Sequence, residues 1–174
     1  MKNTRTHVRR WGLAAALAAA LGAAGCDPQA IKELEEGVAT EADVVQRFGQ
    51  PERVWPEAGG AKTYEYNRQP EGLRNYMITI GADGKMSALR QVLTPQNFAR
   101  VQPGMGVEEV RRMLGKPARQ GAYALQKNEA VWTWKFLEPP SDKKAFSVIF
   151  SPDMRVQRTE IGPDPDGLDM RGGG

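Results

Sequence analysis

The sequence predicts an α+β fold of two tandem repeats, each a short helical segment followed by an antiparallel β-meander packed on it. The first observation behind this is an internal duplication. Residues 37–51 read G-V-A-T-E-A-D-V-V-Q-R-F-G-Q-P and residues 104–117 read G-M-G-V-E-E-V-R-R-M-L-G-K-P, so an ending of the form F/L-G-x-P recurs 66 residues on. The second is that strand signals of similar order follow each copy. One helical layer on one antiparallel sheet is the packing that such an order implies.

Ahead of the first copy, Lys2, Arg5, Arg9 and Arg10 precede an Ala/Leu/Gly-rich run from Trp11 to Ala24, which stops at Gly25 and Cys26. A charged start, an apolar run too short to span a bilayer and a small-residue ending are the marks of a secretory leader. Residues 1–25 are therefore expected to be removed. The ending Ala23-Ala24-Gly25-Cys26 resembles a lipobox, whose cysteine is acylated and becomes the new N-terminus. Residues 26–30 would then be a lipidated tether.

The first repeat is expected over 31–93. Thr40 and Asp43 have capping-box spacing, and Val44 and Phe48 share a helical face. Gly49, like Gly115, suits the left-handed position just past a helix end, and Pro51 forbids continuation. Strand signals follow at Arg53–Trp55, Thr63–Tyr66, Tyr76–Ile80 and Met86–Leu93, with Asp83-Gly84 as a hairpin turn. Residues 94–100, which include Pro95, read as a linker.

The second repeat is expected over 101–162. Val107, Val110 and Leu114 share one helical face, and Gly115 and Pro117 end the helix. Strands are read at Val131–Phe136, Phe146–Phe150 and Arg155–Ile161, with Pro152-Asp153 as a turn. Period-two alternation puts Trp132, Trp134 and Phe136 on one face and Val131, Thr133 and Lys135 on the other. The aromatic face is expected to pack on the helices, leaving Thr133 and Lys135 outward. Residues 163–174 read as an unstructured tail.

Charge and composition exclude several functions. The whole chain carries 24 basic and 21 acidic residues, for a net charge of +3. The leader holds four of the basic residues and no acidic one, so the 149 residues from Cys26 onward have a net charge of −1. No nucleic-acid partner is implied. The single histidine, His7, is also in the leader, and Cys26 is the only cysteine. What remains cannot form a Ser-His-Asp triad, a Cys-His pair or a His/Cys zinc site. No catalytic residue, metal ligand or cofactor is assigned. Gly115-Lys116 is not a phosphate loop, since Val110 and Pro117 stand where that loop needs Gly and Ser/Thr. The tail acids Asp164, Asp166 and Asp169 with Gly167 lack the closing Glu of a calcium loop.

The run V-Q-P-G-M-G-V-E-E-V-R-R-M-L-G-K-P at 101–117, W-T-W-K-F at 132–136 and F-S-V-I-F-S-P-D-M-R-V at 146–156 resemble the BamE (SmpA/OmlA) family of outer-membrane lipoproteins. Residues 31–93 look like a second, more divergent copy, and two such copies are similar in architecture to β-lactamase-inhibitor protein. The resemblance implies a non-catalytic protein on the periplasmic side of the outer membrane that steadies the β-barrel assembly machinery. Asp27, just after the lipid cysteine, is a residue that retains enteric lipoproteins in the inner membrane, which is the alternative location.

The function expected is that of a lipid-anchored, protein-binding scaffold of the cell envelope. The rivals are a periplasmic enzyme inhibitor with a concave two-repeat face and a carboxylate-dependent cell-wall hydrolase. Partner contacts are expected from Thr133 and Lys135, from the groove between the repeats or from Gln102 to Val107; the resemblance favours that segment, with Met105 as an exposed apolar anchor because methionine adapts to irregular surfaces.

Overall fold

A computed structural model of the chain describes residues 31–123, 126–164 and 166. The expected leader, residues 1–25, and the expected tether with Cys26 lie outside the described residues. The element order is α1 (Glu41–Phe48), β1 (Arg53–Pro56), a 3-10 turn (Ala58–Gly60), β2 (Lys62–Asn67), β3 (Asn75–Ile80), β4 (Met86–Gln91), α2 (Pro95–Phe98), α3 (Val107–Leu114), β5 (Arg119–Tyr123), β6 (Gln126–Glu138), β7 (Asp142–Phe150) and β8 (Val156–Pro163). The strands form two four-stranded antiparallel sheets, in the orders β1-β2-β3-β4 and β5-β6-β7-β8.

This architecture overturns the α+β expectation of two helix-plus-meander repeats. Residues in antiparallel strands far outnumber helical ones among the described residues, and the longest described helices, α1 and α3, have eight residues each. A helix of two turns buries only two side chains here, Val44 and Phe48 in α1 and Val110 and Leu114 in α3. That is too little to make a helical layer, so the sheets carry the cores.

The assumption of one-sided sheets fails as well. On one face of the first sheet, Tyr64, Tyr66, Tyr76, Ile78 and Ile80 pack with Val44, Phe48 and Met86. On the opposite face Trp55, Met77 and Val92 form a separate buried cluster, and Glu65 is fully buried. Alternation in the sequence marks which residues share a face, but not whether the second face is covered by the rest of the chain.

Local signals fared better. Thr40 and Asp43 form the capping box, the Thr40 N–H donating to Asp43 Oδ2 at 2.8 Å. Gly49 and Gly115 have φ of +83° and +76°, but their ψ of −167° and −171° place them in the extended positive-φ region rather than the left-handed helical one. Gly84 turns the β3–β4 hairpin with φ +76°. Trp134 and Phe136 are fully buried, and Trp132 packs against their cluster, so the aromatic face of β6 does point at the helix.

Three segments differ from expectation. β5 carried no strand signal, since its described sequence R-Q-G-A-Y holds a glycine and little β-branched character. The linker contributes to the core: Phe98 stacks on Phe146 at 4.2 Å between ring centroids and meets Phe136 edge-on at 4.8 Å. The expected tail begins with placed residues, for β8 runs to Pro163, Asp164 is buried, and Asp166 pairs with Arg119 and Lys135.

Candidate functional site

The residues nominated from sequence as contacts do not converge on a free surface. Met105 is half-buried and packs against the second core, as does Val107. The backbone dictates this. Val156 N–H donates to Met105 O and Gly104 N–H to Val156 O, both at 2.8 Å, and Gly106 bridges Arg155. The segment is thus stitched to the start of β8, which turns Met105 inward, so it is not an exposed anchor. Gln102 is exposed and folds back locally, its Nε2 donating to Ala99 O at 2.8 Å.

Thr133 and Lys135 lie on the outward face of β6, as alternation requires, yet neither is free. Thr133 Oγ1 shares a 3.0 Å hydrogen bond with Ser147 Oγ. The Lys135 side chain is only 15% exposed and its Nζ meets Asp166 Oδ2 at 3.2 Å. Lys135 N–H donates to Gln69 Oε1 at 3.1 Å, and Gln69 Nε2 donates back to Lys135 O at 2.8 Å. A primary amide from the first half thus serves the β6 backbone as a neighbouring strand would.

That amide belongs to a polar seam between the halves, built on α3. Val110 and Leu114 face the second core, while Arg111 and Arg112 face the first sheet. Glu65, from the middle of β2, is the hub. Its carboxylate accepts from Trp55 Nε1 at 3.1 Å, Asn67 Nδ2 at 2.8 Å, Arg111 Nη2 at 3.1 Å and the Lys116 N–H at 3.0 Å. A carboxylate withdrawn from water is tolerable when its lone pairs are filled in this way. Around it Arg53 and Arg112 sit over the Trp55 ring, at 4.3 and 5.2 Å from its centroid.

The end of α3 is held as closely. Asn75, fully buried on β3, donates through Nδ2 to Leu114 O at 2.8 Å and to Lys116 O at 3.1 Å. Trp134 Nε1 donates to Gly115 O at 3.0 Å. Helix-terminal carbonyls with no partner inside the helix are thereby satisfied from both sheets. Nothing in the sequence flagged Glu65 or Asn75, because a charged or polar residue alternating with tyrosines reads as solvent-facing.

Beside the seam a groove of about 490 Å³ opens between the halves. Leu93, Pro95, Leu137, Pro139 and Pro140 give it an apolar lining, with Arg74 and Gln91 as polar groups and Ile31 at its wall. Gln91 Nε2 donates to Leu93 O at 3.3 Å, whereas its buried Oε1 has no hydrogen-bond partner among the described residues. Such a surface can take an apolar segment of a protein. Among the described residues no group of three or more His, Cys, Asp or Glu could hold a metal ion, and no helix is long and apolar enough to cross a membrane.

No protein-family model matches the sequence, and neither does any curated protein. Among solved structures the chain is similar to a DUF4309 family protein, YjgB from Bacillus subtilis, with 18% identity over 75% of this chain and 82% of that one. The TM-score of 0.29 is too low for that likeness to bear on fold or function.

Proposed function

We propose that the protein is a non-enzymatic, lipid-anchored protein of the cell envelope that binds a protein partner as a scaffold, in outer-membrane protein assembly or envelope maintenance. The observation that carries this is the leader ending at Cys26, the only cysteine of the chain. The BamE-like run at 101–117 supports the same reading, with the outer membrane as the location and the inner membrane as the alternative raised by Asp27. The groove adds a place for contact: Ile31, in its wall, is five positions from Cys26, so a partner seated there would be held against the membrane surface.

Two measurements test the proposal. Cells expressing the wild type should incorporate radiolabelled palmitate into the protein, and Cys26→Ser should abolish the label; an unlabelled wild type removes the anchor. Crosslinked pull-down from envelope membranes should recover a partner with the wild type and lose it with Leu137→Glu. Leu137 is 37% exposed in the groove, so the charge disrupts no core. Unchanged recovery takes the groove out of the interface.

A further inference from the structure

The path of the chain past β8 leads back across its own sheet. Pro163, the last residue of β8, is paired with Lys144 of β7. Beyond it Asp164 is buried, and its Oδ1 accepts from the Asp166 N–H at 3.1 Å. Asp166 then meets Lys135 Nζ on β6 at 3.2 Å and Arg119 Nη2 on β5 at 2.7 Å. The residues after β8 thus run over the outward face of the second sheet from its last strand towards its first, and two cations fix the place where they arrive.

That place adjoins the groove between the halves. Alternation puts Leu137 on the same face of β6 as Lys135, about 7 Å further along the strand. Leu137 is 37% exposed and lines the groove together with Leu93, Pro95, Pro139 and Pro140. Arg74 is exposed there too, and no carboxylate pairs with it among the described residues.

Residues 167–174, G-L-D-M-R-G-G-G, follow Asp166 and lie beyond the described residues. Their chemistry mirrors the groove. Leu168 and Met170 flank one acid, Asp169. Leu168 is two residues past Asp166, a reach of about 7 Å at full extension, so it can come to Leu137 without loss of the Asp166 ion pairs. Met170 suits an irregular lining rich in proline, and Asp169 supplies the charge that Arg74 lacks. Residues 27–30, D-P-Q-A, precede Ile31 on the groove's other side but carry no large apolar side chain.

We propose that residues 167–170 dock into the groove between the halves, with Leu168 against Leu137 and Asp169 paired with Arg74. This intramolecular contact does not depend on the partner reading above; a partner seated in the same groove has to displace the tail.

Disulfide trapping in the full chain, oxidised in cells and read on the monomer band of a non-reducing gel, tests the contact. Leu137→Cys combined with Leu168→Cys should link tryptic peptides 136–143 and 159–171. Thr133→Cys combined with Leu168→Cys is the control, since Thr133 lies as far from Lys135 as Leu137 does, on the same face but on the side away from the groove. Normalised to maleimide labelling of each β6 cysteine without its tail partner, the Leu137 pair should link several-fold more. A second measurement needs no cysteine in the tail. In Leu137→Cys, maleimide labelling of peptide 136–143 should become several-fold faster when residues 167–174 are deleted. Asp169→Arg should also speed it, by setting like charges together, and Arg74→Glu added to Asp169→Arg should restore the slow rate. Equal linkage at positions 133 and 137, or a labelling rate unchanged by the deletion, would overturn the proposal.

Discussion

Replacing Gly115 by alanine should be far more damaging than the same change at Gly49, although both glycines follow an eight-residue helix with nearly the same backbone angles. Positive φ with extended ψ is a region that only glycine occupies without strain, so either substitution costs about 1–3 kcal/mol from the backbone. At Gly49 a Cβ would meet nothing within 4 Å. At Gly115 it would lie 2.5 Å from Asn67 Oδ1 and 2.9 Å from Asn75 Nδ2. Neither amide can retreat freely: Asn67 Oδ1 accepts from Lys116 N–H at 2.8 Å, and Asn75 Nδ2 holds Leu114 O and Lys116 O. Losing two such bonds at about 1 kcal/mol each puts Gly115→Ala about 2 kcal/mol beyond Gly49→Ala. Urea unfolding of the chain from residue 27 onward, read by tryptophan fluorescence with a common m-value, measures the difference. Equal midpoints for the two variants would refute the claim that the end of α3 is clamped against the first sheet.

The Glu65 hub makes a second prediction. Glu65→Gln should destabilise by about 3 kcal/mol, the low end for breaking a buried pair, since Arg111 keeps Glu52 at 3.5 Å. Adding Arg111→Met should then cost little more, a coupling that a double-mutant cycle reads directly. Acid should weaken the first half by a separate route. The hydrogen bond from Lys62, with a second from Tyr64, holds the Glu41 carboxyl below its ordinary range. A folded pKa below the unfolded value of about 4.3 stabilises the fold above that pH, and the contribution is lost as pH falls through the folded pKa. Glu41→Gln should therefore flatten the fall of the urea midpoint below about pH 4.5, and an unchanged acid slope would remove Glu41 as a contributor.

What was legible in the sequence is what depends on near neighbours along the chain. The capping box at Thr40 and Asp43, the helix stops at Gly49 and Gly115, the Asp83-Gly84 turn and the inward aromatic face of β6 follow from dihedral preference and side-chain period. Strand ends were less so: Gln126–Glu138 extends well beyond Val131–Phe136 because its ends are held by pairing, Gln126 with Tyr123 of β5 and Leu137 and Glu138 with Lys143 and Asp142 of β7, and not by their own propensity.

Tertiary structure decided how the pieces share surfaces. The pattern of α3 marked Val110 and Leu114 as apolar but gave no role to Arg111 and Arg112, which reach Glu65 and the Pro56 carbonyl of the first sheet. Glu65 could be buried only because Trp55, Asn67, Arg111 and the Lys116 N–H arrive together from four places in the chain. Met105 packs against the second core where its backbone is tied to Val156, about 50 residues away in sequence. Propensity and periodicity are properties of a segment alone. Whether a face is buried or a charge compensated depends on which distant segment comes to lie beside it.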